Sequence, residues 1–188
     1  PTALPADFWP QMSLRSLQPI KEHCYSWLGS ARQRQGSYQE AVDAFKKAVE
    51  QNPKDGQHFA DLAESYLGLK QNDDAAAAAK RAVEIEPDWY ALWALGEAYI
   101  ARAQFAEAVE AFRKAAENNP KRADIFWKMG QAHLGMDDHE GAAGAFAKGV
   151  ELAPGEPALP YWIGIARSWA GRFEEATAAF DKAVALAS

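Results

Sequence analysis

Four prolines recur along this sequence at an almost constant spacing. Pro53, Pro87, Pro120 and Pro154 are separated by 34, 33 and 34 residues. A fixed period of this length is typical of proteins that stack copies of one supersecondary unit. The spacing divides most of the chain into five units: residues 22–55, 56–88, 89–122, 123–156 and 157–188.

Apolar and small residues occupy matching positions in the five units. A leucine-like position is filled by Leu28, Leu62, Leu95, Met129 and Ile163. The residue after it is small in every unit: Gly29, Ala63, Gly96, Gly130 and Gly164. One later position is always alanine: Ala41, Ala75, Ala108, Ala142 and Ala176. Four residues beyond it stand Phe45, Ala79, Phe112, Phe146 and Phe180. The helical spacing of these positions predicts two amphipathic helices in each unit.

A helical hairpin of this kind cannot bury its apolar faces alone, so neighbouring units must stack. The small residues let antiparallel helices approach closely, and the phenylalanine fills the gap between one unit and the next. The proline ends the second helix because it lacks an amide hydrogen and restricts the residue before it.

Residues 89–122 carry the clearest copy of the pattern. They resemble the tetratricopeptide repeat family, with leucine where that family has its first tryptophan. The matching residues are Leu92, Leu95, Gly96, Tyr99, Ala108, Phe112, Ala115 and Pro120. The resemblance covers residues 22–188 and implies an all-α fold, a right-handed α-solenoid of five helix-turn-helix repeats.

Residues 1–21 do not fit the repeat, and we treat them as an N-terminal arm. Prolines at positions 1, 5, 10 and 19 predict that no long helix forms there. Two interpretations stay open. The arm is a disordered leader, or it packs on a repeat surface of its own or a neighbouring molecule through Phe8, Trp9, Met12, Leu14 and Leu17. Because the chain begins with Pro1, we expect a processed or cut amino terminus.

Two units depart from the pattern. In the second, Ala79 replaces the phenylalanine, so either the helices close up or Phe59, Trp89 or the N-terminal arm fills the space. In the fifth, we expect the first helix to begin at Pro160, where a missing amide does no harm.

The fifth unit is followed by no polar capping element, which solenoids usually need. We therefore expect Val184 and Leu186 to be partly uncovered. Truncation, self-association and a tolerated bare end all remain open as explanations.

Composition and motifs exclude several classes of function. The formal net charge of -6 argues against binding a nucleic-acid backbone. Lone Cys24 excludes an internal disulfide framework and leaves cytoplasmic, periplasmic and secreted locations open. No apolar run approaches the ~18 residues of a membrane span. The four histidines lack metal-ligand spacing, and no catalytic or nucleotide-binding motif occurs. We predict no cofactor, no metal site and no enzyme activity.

The resemblance implies that the first helix of each unit lines a concave groove. The second, fifth and ninth residues of a unit then face that groove, which in the third unit are Tyr90, Trp93 and Glu97. At ~100° per residue, this face lies roughly 140° from the Leu92, Leu95, Tyr99 stripe. We therefore expect Tyr90 and Trp93 to be surplus to folding.

The same positions predict a continuous aromatic ladder formed by Tyr90, Trp93, Trp127 and Tyr161, with Glu64, Glu97 and Asp124 as its acidic border. Large aromatic side chains on an exposed face are typical interface anchors. The alternative is that these rings fill contacts between repeats. The predicted partner-binding residues are Tyr90, Trp93, Glu97, Trp127, Gln131, Tyr161, Trp162 and Glu64.

The best-known ligand site of the family is a carboxylate clamp of lysine, asparagine and arginine for chaperone C-termini. At the matching positions stand Ser26, Ser30, Asp61, Tyr90 and Ala94, so we do not predict a clamp.

We instead predict an interaction scaffold that binds a peptide or helix of a partner protein through apolar anchors, with basic residues as its flanks. The first alternative is a self-assembling structural scaffold, a homo-oligomer joined through the N-terminal arm or the uncapped ends. The second is the non-catalytic region of a longer enzyme or assembly factor.

Overall fold

The computed structural model describes the backbone of residues 14–187 and the side chains of that range except those of residues 14–19 and 22. All regular secondary structure in that range is helical. The helices are α1 (Leu14–Arg34), α2 (Tyr38–Gln51), α3 (Gly56–Gly68), α4 (Asn72–Ile85), α5 (Trp89–Ala101), α6 (Phe105–Asn118), α7 (Ala123–Gly135), α8 (His139–Leu152), α9 (Ala158–Trp169) and α10 (Phe173–Ala187). They form five consecutive hairpins, which confirms the predicted α-solenoid of helix-turn-helix repeats.

Each hairpin turns through one residue in the left-handed region of backbone conformation. These residues recur at one position of the repeat: Gly36, Lys70, Ala103, Asp137 and Gly171, with φ between 55° and 75°. In every turn the amide of the next residue donates to a carbonyl five residues earlier, as when the Gln104 amide donates to the Tyr99 carbonyl. This pattern satisfies carbonyls at the end of the first helix, which otherwise have no partner.

The small residue after the leucine position accommodates a phenylalanine ring. A Cβ on Gly96 would lie 2.6 Å from ring carbons of Phe112, and Gly29, Gly130 and Gly164 face Phe45, Phe146 and Phe180 in the same way. Only a residue without a side chain permits so close an approach. In the second repeat, Ala63 replaces the glycine and Ala79 replaces the phenylalanine. The added methyl group of Ala63 therefore meets no ring at position 79.

The second repeat compensates for its missing phenylalanine by close helix packing. Alanines of α3, α4 and α5 form one buried cluster, in which α3 packs directly against α5. Phe59 packs partly buried against this cluster, whereas Trp89 belongs to the next one. Two of the expected solutions therefore act together, and residues 1–13 of the N-terminal arm lie outside the described residues.

The helices form two layers. Helix α1 packs against α3, α3 against α5, and α5 against α7. Each even-numbered helix packs mainly on odd-numbered helices. The odd-numbered helices are therefore the inner layer and the even-numbered helices the outer layer. The surface that the inner helices share is the one that the family resemblance assigns to a groove.

Two expected helix boundaries are wrong. Helix α1 begins at Leu14 and continues through Pro19, since a proline near the amino end of a helix removes a single backbone hydrogen bond. Helix α9 begins at Ala158 rather than Pro160. Pro160 is its third residue, where the amide would have no partner within the helix in any case. Phe8, Trp9 and Met12 lie outside the described residues.

The expected exposure of the last helix is confirmed. Val184 is 68% exposed and Leu186 36%.

Candidate protein-binding groove

All eight predicted partner-binding residues lie on odd-numbered helices. Glu64 belongs to α3, and α5 contributes Tyr90, Trp93 and Glu97. The others are on α7 and α9: Trp127, Gln131, Tyr161 and Trp162. The inner layer therefore carries the whole set, although the structure separates it into two groups.

The first group is centred on the hydroxyl of Tyr90. This oxygen lies 2.8 Å from Asp61 Oδ1 and 3.0 Å from Glu64 Oε2. Because a phenol has a single hydrogen to donate, it cannot fully satisfy both carboxylates. Burial, followed by the two negative charges, raises the pKa of Tyr90, so the phenol stays protonated.

Asp61 and Glu64 retain uncompensated negative charge. Burial raises the pKa of Asp61, while hydrogen bonds from Tyr90 and from Gln57, whose Nε2 lies 3.2 Å away, oppose that shift. Among the described side chains, neither carboxylate forms an ion pair. Both line a polar cavity of about 390 Å³ with walls from Ser30, Gln33, Arg34, Tyr38, Asp61, Glu64 and Tyr90. The cavity therefore presents two carboxylates to a ligand against the single positive charge of Arg34.

Tyr90 and Trp93 form a stacked pair, with ring centroids 6.1 Å apart and planes 8° from parallel. Beyond them, Lys128 Nζ lies 2.7 Å from Glu97 Oε2 and joins α7 to α5. Burial raises the pKa of the Glu97 carboxyl, and Lys128 opposes the rise. Trp93 Nε1 and Glu97 Oε1 are buried without a hydrogen-bond partner among the described residues.

The second group of aromatics lies between the fourth and fifth repeats. The Trp127 ring is 5.5 Å from Phe146 and 5.9 Å from Trp162, which in turn is 5.6 Å from Tyr161. An apolar cavity of about 310 Å³ opens beside Trp127, lined by Ala123, Asp124, Trp127, Ala153, Glu156, Ala158 and Leu159. This cavity has the size and lining to receive an apolar side chain.

The expected continuous ladder is therefore wrong. In the described part of the chain no ring contact joins Trp93 to Trp127, and the Glu97–Lys128 pair bridges the same two helices instead. Trp127 and Trp162 fill contacts between repeats, as the alternative interpretation held. Tyr90 and Trp93 are half-buried against the core, so they are not surplus to folding.

The acidic border is also narrower than expected. Glu97 is neutralised by Lys128, and Asp124 pairs with Arg122, which lowers the pKa of that carboxyl. The uncompensated charge is concentrated instead on Glu64 and on Asp61, a residue whose sequence position marked it only as a mismatch to the clamp. Gln131 is half-buried, and its side chain makes no hydrogen bond to a described residue.

Sequence reasoning missed Asp61 and Lys128 as groove residues. They occupy one position of the repeat, which in the other units is held by Trp27, Ala94 and Trp162. Periodicity within one helix gives no signal for the contact between Asp61 and Tyr90, because the two residues lie on adjacent first helices, 29 positions apart.

Metal sites and membrane spans are both absent from the described range. No group of three histidine, cysteine, aspartate or glutamate side chains there is placed to hold a metal ion. No helix in that range combines the length and apolarity needed to cross a bilayer.

The stacked hairpins and their shared inner surface define the class of helical-repeat interaction modules. Family profiles described as tetratricopeptide repeat match residues 33–98, 93–157 and 127–188. The chain belongs to the tetratricopeptide repeat family. Such repeats are typically non-catalytic scaffolds for protein–protein interaction.

Relatives support the same family. A small glutamine-rich tetratricopeptide repeat-containing protein 2 from Mycosarcoma maydis is 34% identical over 84 residues, or 44% of this chain. The chain spans only 24% of that protein.

Solved structures of similar fold include a MamA protein, with a TM-score of 0.78, 25% identity, and coverage of 89% of this chain and 92% of the other. A thermophilic TPR protein of Thermus thermophilus gives a TM-score of 0.71 at 23% identity, with coverage of 88% and 91%.

Proposed function

We propose that the inner layer binds a peptide or helix of a partner protein that combines a basic side chain with an apolar anchor. The observation that carries the proposal is the pair of carboxylates of Asp61 and Glu64, which face a cavity without an ion-pair partner among the described residues. A lysine or arginine side chain would supply the hydrogens that the single Tyr90 hydroxyl cannot.

The apolar anchor enters the cavity beside Trp127. Its walls are largely alanine, leucine and tryptophan carbon, and Tyr161 nearby is 46% exposed. Aromatic side chains at such sites are common sources of binding energy. The two cavities lie on different repeats, so the ligand is an extended or helical segment that spans several repeats rather than a single side chain.

The experiment begins with selection of peptides from a random library against the wild-type protein. We expect the enriched peptides to carry at least one lysine or arginine and a large apolar residue. Asp61→Asn with Glu64→Gln then weakens an enriched peptide about 10- to 100-fold, as expected for losing a hydrogen-bonded charge pair. Calorimetric titration measures this change.

A matched control removes the same charge from the outer layer. Glu50→Gln with Asp74→Asn alters two exposed carboxylates on α2 and α4, and affinity should stay within about twofold. Enriched peptides without basic residues, or equal affinities of the two double variants, would show that the carboxylate pair does not select the ligand.

The apolar cavity is tested separately. Ala158→Glu introduces a charge into this cavity at the first residue of α9, where an acidic residue is compatible with the helix dipole. We expect it to remove the preference for the apolar anchor. Ala147→Glu, at an exposed position of α8, should leave the preference unchanged.

A further inference from the structure

The first repeat exposes a surface that every later repeat covers. Cys24 and Ala31 on α1 are exposed. At the position of Cys24, the later repeats carry residues at most 5% exposed: His58, Ala91, Ile125 and Leu159. At the position of Ala31, they carry residues that are 0% exposed: Ser65, Ala98, Ala132 and Ala166. This face of α1 is therefore one half of a repeat–repeat interface.

The fifth repeat carries the other half. Between repeats four and five, Trp162 packs on the ring pair of Trp127 and Phe146, at 5.9 and 6.3 Å. That ring pair has a centroid separation of 5.5 Å and an interplanar angle of 55°. One repeat further on, Tyr161 and Phe180 form a pair of nearly the same geometry, at 5.9 Å and 57°.

No described tryptophan packs on Tyr161 and Phe180 in the way that Trp162 packs on Trp127 and Phe146. A tryptophan suited to that place is present at the opposite end of the chain. Trp27 occupies the same position of the first repeat as Trp162 does of the fifth. It is 71% exposed, the largest fraction among the described large hydrophobic residues. A tryptophan so exposed at a position that packs between repeats indicates a partner surface of the repeat type.

A second contact between neighbouring repeats also has its two halves exposed at opposite ends of the chain. The first residue of each outer helix packs on the end of the next inner helix, as when Phe105 lies against Gly135 and His139 lies 5.6 Å from Trp169. Phe173 holds this position in the fifth repeat and is 64% exposed. Its counterpart in the first repeat is Arg34, an exposed residue whose guanidinium can stack on an aromatic ring.

We propose that a second copy of this chain stacks its first repeat on the fifth repeat, which continues the solenoid from one molecule into the next. Trp27 of one copy packs on Tyr161 and Phe180 of the other, and Arg34 packs on Phe173. The occupant is a second copy because the interface is the one that the chain already forms four times between its own repeats. Such a head-to-tail contact uses a different face on each copy, so each bound molecule still offers a free face to the next, and association continues into a chain or a ring of molecules.

The test uses two variants of the full chain that each disable one face. Trp27→Asp leaves the fifth-repeat face intact, and Phe173→Asp leaves the first-repeat face intact. Sedimentation velocity over a wide concentration range should show wild-type masses above the 20.6 kDa monomer. Each variant alone should associate at least ~30-fold more weakly, the loss typical of an anchor residue. An equimolar mixture of the two should form a dimer and nothing larger.

The controls separate this contact from other causes. Both altered side chains are largely exposed, so circular dichroism should report unchanged folding. Trp169→Asp changes another exposed tryptophan, 58% exposed, that faces the fourth repeat, and this variant should associate like the wild type. Asp61→Asn with Glu64→Gln should also leave association unchanged, so failure here is distinct from failure of the peptide proposal.

Two outcomes would overturn the proposal: the wild type stays monomeric at every concentration, or the mixture of the two variants fails to dimerise. If the wild type is monomeric but Phe8→Ser with Trp9→Ser induces association, the N-terminal residues of the same molecule cover α1 in place of a second copy.

Discussion

Substitution of Gly96 by alanine tests the packing rule on which the repeat depends. The added Cβ would lie 2.6 Å from carbons of the Phe112 ring, whereas carbon atoms in ordinary contact are about 3.5–4 Å apart. Phe112 is fully buried, so its ring can give way only by displacing the side chains packed around it. Overpacking of this kind costs about 1–3 kcal/mol, while alanine in a helix interior is favoured over glycine by about 1 kcal/mol. We expect a net loss of about 1 kcal/mol.

Gly144→Ala is the matched control, because a Cβ there meets no atom within 4 Å. It lies inside α8 and is exposed, so only the helix propensity acts, and stability should rise by about 1 kcal/mol. The difference between the two variants isolates the clash. Urea unfolding followed by circular dichroism measures both, provided that the denaturant slope is unchanged.

The background variant Phe112→Ala should reverse the sign of the Gly96 substitution. Without the ring, alanine at position 96 clashes with nothing and should stabilise the protein by about 1 kcal/mol. The second repeat already carries this combination in Ala63 and Ala79. Equal stabilisation by Gly96→Ala and Gly144→Ala in the wild-type background would refute the packing rule.

Three further predictions concern single residues. Ala103→Gly should stabilise the protein by about 0.5–1 kcal/mol in the same unfolding assay, because Ala103 has a φ of 55° and glycine adopts that conformation without strain; unchanged stability would contradict this. Lys128→Ala should destabilise it by about 1–3 kcal/mol, since the largely buried Glu97 carboxylate loses its partner, and adding Glu97→Gln should recover most of the loss. Asp61→Asn should change the pH dependence of unfolding. Burial raises the pKa of Asp61 above 3.8, so the folded form binds its proton more tightly, and the wild type loses stability as pH rises through the folded-state pKa. The stability of the Asn variant relative to the wild type should therefore increase as pH rises from about 4 through the folded-state pKa of Asp61, and a constant difference would contradict the assignment.

The repeat positions were sufficient to predict the hairpins because each position has one packing role. A glycine facing a phenylalanine and an alanine at a close crossing are recognisable without coordinates. The start of α1 was not predictable in the same way, since Pro19 lies where a proline ends some helices and is tolerated in others.

The groove was harder to predict because its properties depend on pairs of residues from different repeats. Helical periodicity placed Tyr90 and Trp93 on the inner layer, but it could not show that Lys128 neutralises Glu97. It also could not show that Asp61 and Glu64 meet the Tyr90 hydroxyl, since these residues are 26 to 29 positions apart in sequence. The charge of the groove is therefore a property of the stacking and not of any single helix.

The most direct test of the proposed function is a map of amide chemical shifts on titration with a selected peptide. Binding to the inner layer should perturb amides around Asp61, Tyr90, Trp93 and Trp127. In the Asp61→Asn, Glu64→Gln variant, the shift changes near Tyr90 should be smaller than in the wild type, and more strongly reduced than those near Trp127. Perturbations confined to the outer helices α2, α4 and α6, or to the end faces around Trp27 and Phe173, would contradict the proposal that the inner layer is the binding surface.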